Sequence, residues 1–308
     1  MRNPRFISVS MNPTFQKTLV LPGFAPDTVI RAESSRLDIA GKGLNVCRVL
    51  IQLGKDCVHL TQLGGKMRPL YLDLAAADNI PLEWVESGSP IRFCYTLLDP
   101  AGGHVTELVE EGEAVQKGTE DRLLETLGRL LPGRDALIVS GSKAAGFSGS
   151  LVPGMVRIAK NEGLRVYLDL RGPDILNSLE YKPDLIKPNL FEFMSTFAPE
   201  FPFKDEKPLD EKAAGEKAGE LCRELYRKYG CRIILTRGAL SVWYSGGGEL
   251  EEYKVDKVEP VNTVGSGDAF TAGIAAALES GAALGDAVAS GACCGARNAG
   301  LLKPGSVK

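Results

Sequence analysis

Short apolar runs alternate with amphipathic segments along most of the chain. Most of the runs predict buried strands, namely FISVSM, CVHLTQL, ALIVSG, RVYLDL, DLIKPN, RIILTRG and SVWYSG. Segments with helical spacing of apolar residues lie between them and predict helices over GLNVCRVLIQLG, PLYLDLAAADN, TEDRLLETLGRLL, LVPGMVRIAKNEG and EKAAGEKAGELCRELYRKYG. Gly230 is the predicted C-cap of the last of these helices. This alternation predicts an α/β fold in which helices cover both faces of a parallel sheet.

Two stretches interrupt the alternation. Residues 16–39 and 91–109 are rich in β-prone residues and contain no helical segment. The second stretch predicts a hairpin with Gly102 and Gly103 in its turn and His104 beside it. Taken by themselves, two such stretches are typical of an ordinary peripheral sheet. Residues 198–210 contain three prolines and predict a surface loop rather than a domain boundary.

Composition narrows the classes of function. The 308 residues are 44% hydrophobic and 24% charged, which is typical of a soluble globular protein. Lys plus Arg number 36 against 39 Asp plus Glu, so a net charge of −3 argues against nucleic-acid or membrane partners. The N-terminus lacks the apolar core of a signal peptide, and we expect a cytoplasmic protein.

Cysteine and histidine usage excludes several kinds of site. The seven cysteines are odd in number and show no C-x-x-C spacing, which predicts free buried thiols, with Cys293 and Cys294 packing a helix. Because the sequence contains two histidines, we expect neither a multi-histidine metal site nor a histidine-based catalytic triad. The nucleophile-elbow and Walker motifs are absent.

The segment NTVGSGDAF, residues 262–270, carries the strongest chemical signal. Gly265 and Gly267 are able to adopt positive φ, so the backbone amides of Gly265, Ser266 and Gly267 predict an anion hole at the start of a small-residue helix. Asp268 lies in the first turn, where a carboxylate is able to accept a proton from a hydroxyl during phosphoryl transfer. An aspartate that only caps the helix after a glycine turn is the alternative.

A second polar motif, KPNLFEF, follows a predicted strand. Asn189 and Glu192 are three residues apart, so one helical turn presents both side chains to the same point. This pair suits a Mg²⁺–phosphate group, with Asn189 on phosphate and Glu192 acting through water. The alternative is a capping box, with Asn189 as N-cap and Glu192 as its partner.

Two ordered motifs resemble those of the ribokinase/PfkB family of carbohydrate kinases. NTVGSGD resembles the family signature D/N-T-x-G-A/S-G-D, whose last aspartate is the catalytic base, and AGKGLNV at residues 40–46 resembles its G-G-x-G-x-N motif. The lysine within the glycine run, Met11-Asn12-Pro13 and Asn262 are similar to the branch that contains 1-phosphofructokinase and tagatose-6-phosphate kinase. That branch phosphorylates sugar phosphates.

The resemblance implies a ribokinase-like three-layer αβα sandwich with a mostly parallel central sheet. It implies a single kinase domain over residues 1–308, with a small β-sheet lid formed by about 12–39 and 91–110. The lid folds over the sugar in this family, and in several relatives it also makes a dimer contact. A homodimer through the lid is therefore expected.

The family motifs also assign the nucleotide side. By resemblance, Lys187 and Asn189 bind the nucleotide and Glu192 serves the metal. Thr236 and Gly238 match a hydroxyl-x-glycine loop beside the ATP phosphates. ATP and Mg²⁺ are the expected cofactors.

The acceptor side follows from the same mapping. Lys42 and Arg92 are the cations assigned to an acceptor phosphate, and Gly41 and Asn45 are expected to face sugar hydroxyls. Ser140 belongs to an S-G-S loop that resembles the branch and is placed near the acceptor. Without the family context the two cations are typical of surface charges, and the S-G-S loop is typical of a strand-ending turn.

One departure concerns the acceptor. Gln16 stands where the family usually has an aspartate whose carboxylate holds two sugar hydroxyls, and an amide donates hydrogen bonds as well as accepting them. The implied function is ATP-dependent phosphorylation of a primary hydroxyl on a phosphorylated ketohexose, either fructose 1-phosphate to fructose 1,6-bisphosphate or tagatose 6-phosphate. The alternatives are a kinase of an unphosphorylated sugar or nucleoside, and a catalytically weak sugar-phosphate sensor.

Overall fold

The computed structural model describes residues 3–308, which form a large central sheet with helices on both faces and a smaller sheet beside it. The strands are β1 (Arg5–Met11), β2 (Thr14–Val20), β3 (Ser34–Ala40), β4 (Asp56–Leu63), β5 (Leu82–Glu86), β6 (Arg92–Asp99), β7 (His104–Val109), β8 (Ala136–Lys143), β9 (Arg165–Asp169), β10 (Leu185–Ile186), β11 (Phe203–Lys204), β12 (Lys207–Pro208), β13 (Arg232–Thr236), β14 (Ser241–Ser245) and β15 (Glu251–Lys254). The α-helices are α1 (Lys42–Gln52), α2 (Arg68–Ala77), α3 (Thr119–Leu130), α4 (Leu151–Asn161), α5 (Pro173–Ser178), α6 (Leu190–Phe197), α7 (Glu211–Tyr229), α8 (Ser266–Glu279) and α9 (Leu284–Ala299).

The central sheet has the strand order β15-β14-β13-β10-β9-β8-β1-β4-β5. All neighbours from β5 to β13 pair in parallel, whereas β14 and β15 are antiparallel additions at one edge. The chain leaves β1 toward β4 on one side and returns to β8 on the other. Ligands of open α/β sheets bind at the carboxyl ends of the strands beside such a reversal, so this topology identifies the edge to inspect.

Alternate strand residues feed two apolar cores. On β1, Ile7 and Val9 join the core that contains residues of α3 to α7, and Phe6 joins the opposite core with α1, α2, α8 and α9. A fully buried parallel strand has this two-sided apolar pattern, which is why the strands read as continuous apolar runs. The prediction of a parallel sheet covered on both faces is confirmed.

The small sheet has the order β3-β2-β6-β7, in which β2 and β6 are parallel and the other pairs are antiparallel. Its outer strand pair β6–β7 is the predicted hairpin. Phe15 stacks on Phe93 and meets Tyr71 of α2 edge-on, with ring centroids 5.1 Å and 5.7 Å apart. These aromatic contacts fix one face of the small sheet against α2 and leave the other face directed at the strand ends.

Several local predictions are resolved. Gly230 ends α7 in the left-handed conformation as predicted. The predicted loop at residues 198–210 contains the short hairpin β11–β12. Cys293 is exposed, so the prediction that all thiols are buried was wrong at that position. Among the residues described, no helix has the length and apolarity needed to cross a bilayer.

Candidate active site

A cleft of about 500 Å³ lies between the carboxyl ends of the central strands and the small sheet. It brings together most of the predicted site residues, which are Gln16, Gly41, Lys42, Asn45, Arg92, Lys187, Asn189, Glu192, Thr236, Gly265, Gly267 and Asp268. Residues that are far apart in the sequence therefore share one solvent space. Ser140, Gly238 and Ser266 lie outside its lining.

Asp268 occupies the first turn of α8 and faces the cleft. The N-cap of this helix is Gly265, with φ +82°, and the Asp268 side chain makes no capping bond. Its carboxylate instead accepts a hydrogen bond of 2.8 Å from Nδ2 of Asn45. The alternative of a merely capping aspartate is thus excluded. Burial raises the pKa of Asp268 to about 7, against the opposing effect of Lys42 and the further raising effect of Asp169.

The predicted anion hole differs in detail from expectation. The N–H of Ser266 donates to the carbonyl of Thr263 at 3.1 Å, so that amide is not directed at the cleft. Gly267 is helical rather than left-handed, and a Cβ there would lie 4.0 Å from Nζ of Lys187 with no closer neighbour. The amides of Gly267 and Asp268 belong to the first helical turn, where backbone donors lack helical acceptors. These two amides are the better placed donors for an anion.

Asp169, at the end of β9, is a central charge that the sequence prediction missed. It is 2% exposed, and its carboxylate lies 3.1 Å from Nζ of Lys187 and 3.7 Å from Nζ of Lys42. The hydroxyl of Thr271 lies 2.9 Å from the same carboxylate. Burial alone would raise the pKa of Asp169, but the two ammonium groups outweigh burial and lower it. Asp169 is therefore the ionised acid of the pair, whereas Asp268 has a pKa of about 7.

Residues 304–306 pack directly behind the first turn of α8. A Cβ on Gly305 would lie 2.4 Å from Cβ of Asn45, and a Cβ on Gly265 would lie 2.4 Å from N of Gly305. Arg48 donates both to Oδ1 of Asn45 at 3.0 Å and to the carbonyl of Pro304 at 3.2 Å. The tail is thus wedged between α1 and the loop that precedes α8, and it sets the position of Asn45 relative to Asp268.

Two fully buried asparagines tie this tail to the glycine loop. Asn262 donates to the carbonyl of Leu302 at 3.0 Å and accepts from the N–H of Val264 at 3.1 Å. Asn298 donates to the carbonyl of Val264 at 2.8 Å and accepts from the N–H of Ser306 at 3.0 Å. Buried amides with all these partners hold the loop in a single conformation.

The nucleotide-side motif forms the capping box that the sequence offered as the alternative, and its two side chains also line the cleft. Asn189 caps α6 by accepting from the N–H of Glu192 at 2.7 Å, and Glu192 accepts from the N–H of Asn189 at 3.0 Å. Both residues nonetheless line the cleft, as does Thr236 at the end of the neighbouring β13. Gly238 lies in the following turn with φ +61°. Their nucleotide and metal roles stay predictions.

Arg92 has an unmet donor on the acceptor side. Its Nη1 donates to the carbonyl of Glu110 at 2.9 Å, while its buried Nε has no hydrogen-bond partner within residues 3–308. Gln16 is buried and donates to the hydroxyl of Thr96 at 2.7 Å. Ser140 is fully buried beside Asp169 and its hydroxyl has no partner in the described chain. A buried Arg donor without an acceptor favours an anionic ligand.

Sequence reasoning missed other cleft residues as well, namely Thr14, Ala40, Cys94, Val105, Glu107, Val109, Thr263 and Val264. Asp169 was detectable, because a polar residue at the carboxyl end of a buried parallel strand marks the ligand edge. The cleft residues of β6 and β7 had no such signal, because the sequence does not show which face of these strands is turned toward the cleft. That face is set by how β6 pairs with β2 and β7.

The residues present fit a magnesium ion only in company with phosphate. No group of three or more acidic, His or Cys side chains within residues 3–308 is arranged to hold a metal by itself. Glu192 lines the cleft and uses one carboxylate oxygen on the backbone of Asn189. One protein carboxylate with ligand phosphates and water is the coordination that Mg²⁺ accepts.

Comparison with known proteins gives consistent results. A family model described as pfkB family carbohydrate kinase matches residues 11–301. A 1-phosphofructokinase of Rhodobacter capsulatus is 29% identical over 273 residues, covering 88% of this chain and 82% of that protein. A tagatose-6-phosphate kinase of Staphylococcus epidermidis is 26% identical over 274 residues, covering 88% and 84%.

Solved structures show the same fold. Phosphofructokinase-2 from Escherichia coli superposes with a TM-score of 0.85 at 21% identity, covering 98% of this chain and 94% of that one. Ribokinase from Thermotoga maritima superposes with a TM-score of 0.71 at 20% identity, covering 98% and 95%. The predicted ribokinase-like sandwich with a small additional sheet is confirmed.

The raised pKa of Asp268 predicts a pH-dependent cost in stability. Its folded pKa of about 7 exceeds the value of roughly 3.9 in an unfolded chain, so wild type loses stability as the pH rises through this interval. We expect Asp268→Asn to raise the free energy of unfolding at pH 8 by on the order of a few kcal/mol, with the difference shrinking toward pH 4. Urea unfolding across this pH range measures the effect.

Asp169→Asn is the matched control with the opposite sign. Its lowered pKa means that the ionised carboxylate stabilises the fold above the unfolded pKa and loses this contribution as the pH falls. Asp169→Asn should therefore destabilise the protein at pH 8. Equal shifts of the same sign in both variants would contradict the assigned charge states.

The tail contact predicts a coupling between Gly305 and Asp268. Gly305 has φ +60°, and in Gly305→Ala the new methyl group would overlap Asn45. Displacing Asn45 weakens a hydrogen bond that favours the ionised form, so the pKa of Asp268 should rise above about 7. Carbon NMR of labelled aspartate carboxyls measures the pKa.

Gly281→Ala is its control, because Gly281 has φ +91° and no atom within 4 Å of a built Cβ. Both variants place alanine in the left-handed region and should lose similar stability from that strain. An unchanged pKa of Asp268 in Gly305→Ala would show that the tail does not position Asn45.

Proposed function

Because the chain belongs to the pfkB family of carbohydrate kinases, we propose that it transfers the γ-phosphoryl group of ATP to a primary hydroxyl of a phosphorylated ketohexose. Fructose 1-phosphate, giving fructose 1,6-bisphosphate, and tagatose 6-phosphate are the two acceptors. Two relatives that bear the names 1-phosphofructokinase and tagatose-6-phosphate kinase support this choice. The observation that carries it is the buried, proton-accepting Asp268 beside helix-end amides in a cleft that also holds an unpaired arginine donor.

In the proposed reaction, Asp268 takes the proton of the acceptor hydroxyl as its oxygen attacks the γ-phosphorus. The bond from that phosphorus to the bridging oxygen of ADP breaks, and the negative charge passes to ADP. A pKa of about 7 makes the carboxylate a competent base near neutral pH, unlike an exposed aspartate. The amides of Gly267 and Asp268 stabilise the moving phosphoryl group.

Asn45 has two functions in this proposal. Its Nδ2 holds the Asp268 carboxylate at 2.8 Å, which orients the base, and its Oδ1 is fixed by Arg48. Asn45 also lines the cleft together with Gly41, the N-cap of the same helix, so we assign both to the acceptor. Positioning of this kind supplies a large part of the rate enhancement in phosphoryl transfer.

Sugar kinases of this family generally use ATP and Mg²⁺. We assign the nucleotide phosphates to Lys187, Asn189 and Thr236, which line one side of the cleft, and the metal to Glu192 with water and phosphate oxygens. When bound, Mg²⁺ would neutralise part of the phosphate charge. Lys187 is 4% exposed and held by Asp169, so it would present one fixed positive charge to the nucleotide.

Arg92 and Lys42 are the groups proposed for the acceptor phosphate. Nε of Arg92 lacks an acceptor, and a phosphate oxygen would supply one. The Lys42 side chain is 45% exposed to the cleft, and Asp169 raises its pKa, so its charge is secure. A ligand phosphate at Arg92 would leave the other end of the sugar free to reach Asp268.

One observation favours a second candidate, a kinase of an unphosphorylated sugar or nucleoside. Lys42 already lies 3.7 Å from Asp169, so part of its charge is compensated before any acceptor arrives. In that case Arg92 would be the single unpaired cation that the described cleft offers to an acceptor. ATP as donor also leads us to propose a cytoplasmic location for either candidate.

A panel of acceptors tests the function. ADP release should be fastest with fructose 1-phosphate or tagatose 6-phosphate and much slower with fructose, ribose and adenosine.

Asp268→Asn should lower kcat by about 10²- to 10⁴-fold with little change in ATP affinity, because it removes the base and leaves the amides. The acid limb of kcat/KM should lie near pH 7, since the ionised carboxylate is the active form.

Arg92→Gln distinguishes the two candidates. It should raise the KM of a phosphorylated acceptor by about tenfold or more and leave a neutral acceptor unaffected. Full turnover by Asp268→Asn would contradict the kinase mechanism. Binding of fructose 1-phosphate by wild type without ADP release would identify a sensor instead.

We also propose a homodimer through the small sheet. Its outer strand β7 is exposed along its length, and Leu108 projects on the face away from the cleft with 53% exposure. An open strand edge with apolar side chains is suited to pairing with a second copy.

Leu108→Lys should convert a wild-type dimer into monomers, because it places a charge in the apolar contact. Analytical ultracentrifugation measures the mass. Leu240→Lys, at a site 65% exposed in the turn before β14, is the control and should stay dimeric. A monomeric wild type, or a dimer that survives Leu108→Lys, would refute the proposal.

A further inference from the structure

The face of the small sheet that looks into the cleft carries a short row of polar side chains. Alternation along paired strands places Gln16 of β2, Thr96 of β6 and Glu107 of β7 on this face, with Thr96 directly opposite Glu107. Gln16 donates to the hydroxyl of Thr96 at 2.7 Å. Glu107 therefore lies beside Thr96, and β6 is the strand that separates it from Gln16.

Glu107 is a carboxylate without a partner. It lines the cleft, and within residues 3–308 its side chain takes part in no hydrogen bond or ion pair. The residue is exposed to the open cleft, where partial burial of its carboxyl group raises the pKa of Glu107. Both carboxylate oxygens are therefore free to accept hydrogen bonds from a ligand in the cleft.

The neighbouring Gln16 makes this carboxylate significant. Gln16 commits one of its N–H donors to Thr96, and as a neutral amide it is a weaker acceptor than an ionised carboxylate. A polyol presents hydroxyl hydrogens that need strong acceptors in a dry site. On the face of the small sheet that looks into the cleft, Glu107 is the acidic side chain that lines the cleft, whereas the other cleft-lining residues of β6 and β7 are Arg92, Cys94, Val105 and Val109.

We propose that Glu107 binds hydroxyl groups of the sugar acceptor and, together with Gln16, determines which acceptor is used. This inference rests on the proposed kinase function. The carboxylate accepts hydrogen bonds from two hydroxyls, while the Gln16 amide accepts or donates one. Recognition by β2 and β7, the two strands that flank β6 in the small sheet, also ties acceptor binding to the position of that sheet.

Charge separates the two ends of the acceptor. Thr96 lies four residues beyond Arg92 along β6, which corresponds to roughly 13 Å of strand. Glu107, opposite Thr96, would repel a phosphate, and Arg92 would attract it. The acceptor phosphate therefore belongs at Arg92 and the hydroxyl-bearing part of the sugar extends toward Glu107.

Glu107→Gln tests the inference with little risk to folding, because the side chain is on an exposed edge strand and has no internal partner. The KM of the better of fructose 1-phosphate and tagatose 6-phosphate should rise about 10- to 100-fold, as expected for losing hydrogen bonds to a charged group. The KM of ATP should stay within about threefold, and kcat should change far less than the KM of the acceptor. Glu111→Gln is the matched control, since Glu111 is an exposed acid near the same strand that does not line the cleft.

A rescue variant separates recognition from a structural effect. If the acceptor needs a carboxylate on this face, adding Gln16→Asp to Glu107→Gln should lower the acceptor KM at least tenfold relative to Glu107→Gln alone. A double variant as weak as Glu107→Gln would overturn the assignment of hydroxyl binding to this face. An acceptor KM in Glu107→Gln equal to that in Glu111→Gln would overturn the role of Glu107.

Calorimetric titration of fructose 1-phosphate without ATP keeps the two proposals distinguishable. If wild type binds this probe in the titration but releases no ADP in a separate assay with ATP present, the kinase proposal fails, and weaker binding by Glu107→Gln still supports the role of Glu107. If wild type is an active kinase and Glu107→Gln binds and turns over normally, only the inference about Glu107 fails.

Discussion

Four charges in one poorly solvated space govern the cleft. Asp169 lies against two lysines, so its pKa falls in spite of complete burial, whereas Asp268 has only the amide of Asn45 in direct contact and its pKa rises to about 7. The two carboxylates also repel each other, which increases the difference. One acid is thereby a fixed counter-ion for the lysines, and the other is free to exchange a proton near neutrality. Environments that separate the pKa values of neighbouring acids are a common way to divide catalytic roles.

This charge arrangement depends on close backbone packing behind it. Helix α1 lies so near β1 that a Cβ on Gly43 would be 2.5 Å from the carbonyl of Val9, and the tail at Gly305 fits only against a glycine at position 265. These contacts place Asn45 where it reaches Asp268. Well-packed interiors transmit such constraints because they leave no room for small displacements. Residues 304–306 therefore help to hold the first turn of α8 in place.

The small sheet presents chemically different side chains to different parts of the cleft, beside the charges of Asp169 and Asp268. Its inner face combines a cation at Arg92 with the polar row of Gln16, Thr96 and Glu107, so different ends of a ligand meet different charges. The opposite face is anchored by aromatic contacts to α2. A layer that is held on one face and open on the other is suited to adjusting acceptor recognition without disturbing the aspartate at the helix end.

Local sequence alone determined the alternation of strands and helices, the glycine loop before α8 and the capped turn at Asn189, because backbone preferences and apolar periodicity act over a few residues. The motifs also identified most of the residues that meet in the cleft. What they did not determine was which groups touch. The use of the Ser266 amide by Thr263, the burial of Ser140 and the pairing of Asp169 with Lys42 depend on strands and loops distant in sequence. Glu107 became visible only through the register of β6 and β7. The pKa of Asp268 likewise belongs to the assembled cleft, since desolvation and neighbouring charges exist only after the chain has folded.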